Sequence, residues 1–134
     1  MNVKRFILAV IAVFLSFQVL DFIIHNLILG PTYQATASLW RPEMMSLMWV
    51  MWLTGLVLSI LFVYIFIRGY ENRGIGEGLR YGLLIGLLFA IPGVWNQYVV
   101  YPVPLALAVK WCGFSLLEFL IAGVVTSLIY KPAE

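Results

Sequence analysis

Four long runs of apolar side chains, almost free of charge, decide what this chain can fold into. Each run exceeds the about 20 residues that a helix needs to cross roughly 30 Å of hydrocarbon. Inside lipid the backbone must satisfy its own N–H and C=O groups, which favours helices. The sequence therefore predicts an all-α, polytopic four-helix bundle in the membrane. It forms a single transmembrane domain over residues 1–134, with helices at about 6–29, 44–67, 78–100 and 105–130.

The overall composition is wrong for an ordinary soluble domain. Only 10% of the 134 residues are charged and the mean hydropathy is +1.02, whereas soluble domains carry about 25% charged residues. The net charge of +2 gives no support for nucleic-acid binding, which needs a clustered basic surface. The expected partner is the lipid bilayer, and a homo-oligomer or a larger membrane complex remains open.

The distribution of lysine and arginine predicts the orientation of the chain. Basic residues favour the cytoplasmic side of a membrane protein. If both termini lie inside, only Arg41 and Lys110 lie outside. We therefore expect a multi-pass protein of the bacterial inner membrane with cytoplasmic termini and six basic residues inside, namely Lys4, Arg5, Arg68, Arg73, Arg80 and Lys131.

Catalytic motifs are not recognisable in the sequence. The segment Gly113-Phe114-Ser115 lacks the second glycine of a nucleophile elbow. A single histidine, His25, cannot supply the two histidines of an H-E-x-x-H zinc motif. We therefore expect a protein that is not an enzyme, and the sequence leaves any cofactor unknown.

Several polar side chains lie within the apolar runs, where lipid should exclude them. A charged residue at mid-span costs roughly 2.5–3.5 kcal/mol on insertion scales, so it normally faces the protein interior. At helical spacing Gln18, Asp21 and His25 share one face of the first helix. Two readings stay open: a self-neutralising structural pair of Asp21 with His25, or a site that binds a proton or a cation. The candidate binding residues are Gln18, Asp21, His25, Asn96 and Glu118.

Glycines recur at every fourth position in the third helix, at Gly78, Gly82 and Gly86. Small residues at this spacing let two helix backbones approach closely. The three glycines are therefore predicted to form a helix-packing face. The spacing leaves open whether its partner is another helix of this chain or a second molecule.

Short motifs along nearly the whole chain suggest a relationship to known sequences. They are Leu20-Asp21-Phe22 in the first helix, the loop segment from Ile67-Arg68-Gly69-Tyr70 to Gly78-Leu79-Arg80, and Glu118 with Tyr130-Lys131 in the last helix. In these features the chain resembles a family of small, uncharacterised bacterial four-helix integral membrane proteins. The resemblance implies the fold and the topology and supplies no mechanism.

These observations lead to two functional hypotheses. In the first, the chain is a multi-pass inner-membrane protein that binds or conducts protons or a small cation through a polar intramembrane pocket. The pocket is built on Asp21, His25 and Glu118. In the alternative, the chain is an accessory or assembly subunit that packs against a larger membrane complex through its glycine face.

Overall fold

All regular secondary structure is helical in the computed structural model, which describes residues 1–133. No strand occurs among these residues, so the prediction of an all-α fold with four long apolar helices is confirmed. The α-helices are α1 (Val3–Asp21), α2 (Gly30–Ala35), α3 (Met48–Arg68), α4 (Ile75–Val100) and α5 (Leu105–Ile129). A π-helix (Phe22–Ile28) continues α1, and short 3-10 helices follow at Ala37–Leu39 and Met44–Leu47.

The four long helical segments are long and apolar enough to cross a membrane. Three features of these helices were not predicted. The first span changes from α to π geometry after Asp21, and residues 44–47 form a 3-10 turn that precedes α3. The third span begins at Ile75 rather than at residue 78, because Gly74 takes a φ of +67° and starts the helix there. Hydropathy does not register such changes of backbone geometry.

The start of α1 and the end of α5 lie together. The Asn2 N–H donates to the Tyr130 hydroxyl at 3.4 Å, which joins the start of α1 to the end of α5. Asn2 also caps α1, since its side-chain oxygen accepts the Arg5 N–H. The end of the molecule that carries both termini is called the terminal end below.

Helices α4 and α5 make the most extensive contact in the structure. A Cβ added to Gly78 would overlap the carbonyl oxygen of Gly123, and a Cβ on Gly82 would overlap that of Phe119. A Cβ on Gly86 would lie 3.0 Å from the Phe119 Cβ. The predicted glycine face is thus a packing face, and its partner is α5 of the same chain.

Helix α1 contacts both α5 and α3. An aromatic cluster, defined by Phe17, Phe62, Tyr81 and Phe119, contributes one ring from each long helix. The Tyr81 hydroxyl donates to the Phe62 carbonyl oxygen at 2.5 Å, which ties α4 to α3. The core therefore forms where one aromatic side chain from every long helix meets.

The loop between α3 and α4 is held by a buried carboxylate. Glu77, only 5% exposed, accepts the backbone N–H of Glu71 at 2.6 Å and that of Arg73 at 2.8 Å. On the exposed side Glu71 pairs with Arg73 and Arg80 at 3.0 and 2.9 Å. Because Glu77 lies in the first turn of α4, its charge also suits the positive end of the helix dipole.

Replacing Glu77 with glutamine should loosen this loop. The amide group can accept only one of the two N–H groups and turns its own N–H₂ toward the other. The unpaired donor should cost about 1–3 kcal/mol of unfolding free energy. Thermal unfolding in detergent measures the effect, with Glu71→Gln as the matched control, whose exposed partners predict little change. Equal stability of the two variants would contradict this role of Glu77.

Candidate functional site

The structure brings three ionisable side chains together from two helices. Asp21 is the last residue of α1, His25 lies in the π-helix and Glu118 lies near the middle of α5. One ligand atom from each residue, a ring nitrogen or a carboxylate oxygen, lies within 4.8 Å of the other two. His25 Nε2 lies 3.8 Å from Asp21 Oδ1. We call these three residues the acid–histidine cluster.

The π-helix shapes the first side of the cluster. Its wider turn is shown by the Leu29 N–H, which donates to the Ile24 carbonyl oxygen at 2.8 Å, five residues back. Such π segments are rare and frequently occur at functional sites. His25 lies within this segment, four residues after Asp21, and its Nε2 lies 3.8 Å from Asp21 Oδ1.

The acid–histidine cluster lies partly open on the molecular surface. The side chain of Asp21 is 45% exposed and that of His25 is 42% exposed, and Glu118 is half-buried. A ligand could therefore reach the cluster from outside the helices, and further coordination positions would remain free.

A hydroxyl that sequence reasoning missed orients the histidine. The Tyr33 hydroxyl, from α2, lies 2.6 Å from His25 Nδ1, and the two rings stack with their centroids 5.8 Å apart. Trp111 donates its indole N–H to the same hydroxyl at 2.7 Å. Trp40 donates its indole N–H to the Tyr33 carbonyl oxygen at 3.2 Å. Tyr33 thus joins α2 to α5 and holds the imidazole in place.

The hydrogen bonds also indicate the tautomer of His25. Trp111 can only donate, so the Tyr33 oxygen accepts its N–H and remains free to donate its own hydrogen. If that hydrogen goes to Nδ1, the proton of the neutral ring lies on Nε2, facing Asp21. Burial raises the pKa of the Tyr33 hydroxyl above its ordinary value of 10.0, so it stays a neutral hydroxyl.

The two remaining predicted site residues lie elsewhere. The Gln18 amide nitrogen is 3.4 Å from the position that a Cβ on Gly55 would occupy, so this side chain faces α3. Asn96 is exposed on α4, and no side-chain hydrogen bond within residues 1–133 includes it. The site therefore contains three of the five predicted residues, and Tyr33 is an addition beside the acid–histidine cluster.

The aromatic cluster closes the site toward the terminal end. Phe17 lies one turn before Asp21, and Phe119 follows Glu118 directly; both are buried. The buried hydroxyls farther along this side donate to carbonyl oxygens of their own helices, each at 2.8 Å, and present no free donor. They belong to Ser59, Thr126 and Ser127. Within the described residues, the polar cluster therefore ends on an apolar floor.

A comparison with known protein families shows which family this chain belongs to. The model of a family described as "Protein of unknown function (DUF1761)" matches residues 8–127. The chain belongs to the DUF1761 family. This match confirms the resemblance to an uncharacterised family and spans the four long helices, including the acid–histidine cluster and Tyr33 of this DUF1761 protein. No curated protein and no solved structure matches the chain.

Proposed function

We propose that this chain is a multi-pass protein of the bacterial inner membrane that binds protons or a small cation at the acid–histidine cluster. One observation carries the proposal: two carboxyl groups and an imidazole from separate segments place ligand atoms within 4.8 Å of one another. Both termini lie in the cytoplasm in this proposal, which directs the cluster toward the external half of the membrane. The protein is proposed to act without catalysis.

Electrostatics explains why such a cluster needs a cation. Two carboxylates within 4.8 Å of each other repel when both are ionised. A histidine beside them supplies one positive charge only when it is protonated. Binding of a proton or a cation removes this repulsion. Isolated acids are costly in lipid, and relief of this cost favours binding.

The surroundings of the cluster favour binding over conduction. A conducting path needs polar groups or water on both sides of the site. Toward the terminal end the aromatic cluster fills this position, with Phe17 at 5%, Phe62 at 2% and Phe119 at 7% exposure. Passage to that end would require these rings to move, whereas binding from the open side requires no such change.

The alternative, an accessory or assembly subunit, depended on the glycine face as its docking surface. Gly78 and Gly82 are packed against α5, so this face is not free for another protein. A complex would have to use a different surface. For this reason we favour cation binding.

Ligand-dependent stability tests the proposal. A cation that binds only the folded protein at 100 times its dissociation constant adds about 2.7 kcal/mol to the unfolding free energy. The melting temperature of the purified protein in lipid nanodiscs should therefore depend on pH or on added Na⁺, K⁺, Mg²⁺, Ca²⁺, Mn²⁺ or Zn²⁺. Asp21→Asn and Glu118→Gln should remove most of this dependence.

Glu43→Gln is the matched control. It removes a carboxylate that is 58% exposed and lies outside the four long helices. The dependence of the melting temperature on pH or added cation should therefore persist. An unchanged dependence in the Asp21→Asn/Glu118→Gln double variant would refute the proposal.

Flux measurements in proteoliposomes distinguish binding from conduction. A proton or cation flux above that of empty vesicles, lost in the double variant, would assign conduction instead of binding.

A further inference from the structure

We infer that the cation is a divalent transition-metal ion of the Zn²⁺ class. His25 Nε2 and one carboxylate oxygen each from Asp21 and Glu118 bind it, and Tyr33 orients His25. The inference rests on the proposed function and names its ligand. The argument uses the donor set, the charge, the distances and the hydrogen bond on the far side of the imidazole.

The donor set selects the class of cation. Mg²⁺ and Ca²⁺ prefer oxygen ligands alone, whereas imidazole nitrogen suits Zn²⁺ and its first-row neighbours. One nitrogen and two carboxylate oxygens match the mixed sites of these metals. A site for alkali or alkaline-earth ions would gain nothing from the imidazole of His25.

Charge balance favours a divalent ion. Asp21 and Glu118 bring two negative charges when ionised, and a neutral His25 brings none. A divalent ion makes the complex neutral, whereas one proton or one alkali ion leaves a net negative charge in apolar surroundings. Neutrality is the state that burial among these helices favours.

The distances require only a small contraction. Ligand atoms at about 2.0–2.2 Å from Zn²⁺ lie roughly 3.4 Å apart in a tetrahedral arrangement. His25 Nε2 and Asp21 Oδ1 already lie 3.8 Å apart, and the widest separation in the cluster is within 4.8 Å. Side-chain rotations of all three residues can supply the difference without movement of the helices.

Tyr33 is the positioning residue in this arrangement. A metal-bound histidine usually donates its other ring N–H to an oxygen, which fixes the ring. When the metal replaces the proton on Nε2, the ring proton resides on Nδ1 and is donated to the Tyr33 oxygen. This oxygen has two lone pairs and can accept from both His25 and Trp111. The hydrogen of the Tyr33 hydroxyl, no longer accepted by Nδ1, then requires another acceptor.

Three protein ligands leave at least one coordination position for water or another small ligand. Closed structural zinc sites use four protein ligands, whereas zinc sites with three protein ligands keep the fourth position for water or another small ligand. The side chains of Asp21 and His25 are 45% and 42% exposed, and they form the open side of the cluster. The ion can therefore enter and leave, as a transported or sensed metal would need.

Metal titration of the purified protein tests the inference. The full chain is prepared in nanodiscs with a tag that contains no histidine, and Zn²⁺ is titrated against a chromophoric chelator. We expect one Zn²⁺ per chain, with Zn²⁺ binding at least 100-fold tighter than Mg²⁺ or Ca²⁺. Binding should be lost in His25→Gln, Asp21→Asn and Glu118→Gln, and kept in Glu43→Gln. Tyr33→Phe should weaken binding about 10–100-fold.

A spectroscopic measurement on the unaltered chain covers the case in which a variant fails to fold. His25 is the only histidine, so labelled histidine gives a single imidazole signal. That signal should shift when Zn²⁺ binds and should show paramagnetic broadening with Co²⁺. An imidazole signal that does not respond to either ion overturns the inference.

The outcomes separate this inference from the proposed function. If Zn²⁺ does not bind while the pH dependence of stability still requires Asp21 and Glu118, the metal is wrong and a proton site stands. Equal affinity for Zn²⁺ and Mg²⁺, or Zn²⁺ binding unchanged in all three ligand variants, also overturns the inference. Loss of every pH and cation dependence overturns both.

Discussion

Replacement of Gly123 by alanine should force α4 away from α5 and remove much of the stability of the protein. The new Cβ would overlap the carbonyl oxygen of Gly78 and lie 3.1 Å from the Gly82 Cα. These are backbone atoms, which cannot turn aside as a flexible side chain can. Overpacking of a tight core costs typically 1–3 kcal/mol, and because backbone is displaced we expect about 3 kcal/mol or more.

Gly113→Ala is the control for this substitution. Gly113 lies in the same helix, and a Cβ there would meet no atom within 4 Å. Its intrinsic effect should be neutral or stabilising by up to about 1 kcal/mol, since alanine favours helix over glycine. Thermal unfolding in one detergent compares the two variants. Similar melting temperatures would show that the close approach of α4 and α5 does not stabilise the fold.

The spans were predictable because lipid imposes a simple rule on a chain. A run that crosses the hydrocarbon must be apolar and must satisfy its own backbone, so composition alone reveals the four long helices. The four-residue spacing of Gly78, Gly82 and Gly86 likewise identified one face of α4. It could not identify the partner, because periodicity describes a helix and not what lies opposite. Gly123 in α5 completes the contact as a single glycine without a glycine repeat of its own.

The candidate site was predictable only in part. Asp21, His25 and Glu118 stand out because ionisable side chains are expensive in an apolar run. Gln18 lies on the predicted polar face of the first helix, yet its side chain faces α3. The reason is that α1 packs between α3 and α5, so its polar face meets both. Tyr33 could not be found from the sequence, because the segment between two spans has no periodicity and hydropathy does not register the π-helix before it. The orientation of the chain across the membrane stays a prediction.

Phe62→Ala should be the most damaging truncation in the aromatic cluster. Phe62 is 2% exposed, and its ring centroid lies 6.4 Å from that of Phe17, 4.7 Å from that of Tyr81 and 5.9 Å from that of Phe119. One side chain of α3 therefore contacts a ring of each other long helix. Truncation of a buried Phe to Ala costs about 3–5 kcal/mol through lost contacts and a residual cavity. We expect a loss in this range, measured by thermal unfolding in nanodiscs.

Leu61→Ala is the natural comparison, because its side chain is next in sequence, 52% exposed and directed away from the core. Lipid replaces its contacts, so little stability should be lost. Phe62 belongs to the floor beneath the acid–histidine cluster and is not a ligand. Phe62→Ala should therefore keep the cation-dependent rise in melting temperature even though its melting temperature without cation falls.

If the aromatic rings are what separate the cluster from the terminal end, the cavity left by Phe62→Ala should also admit water. Vesicles that contain Phe62→Ala should then lose a proton gradient faster than those with Leu61→Ala. Equal leak rates, with folded protein in both, would show that another part of the core forms the barrier.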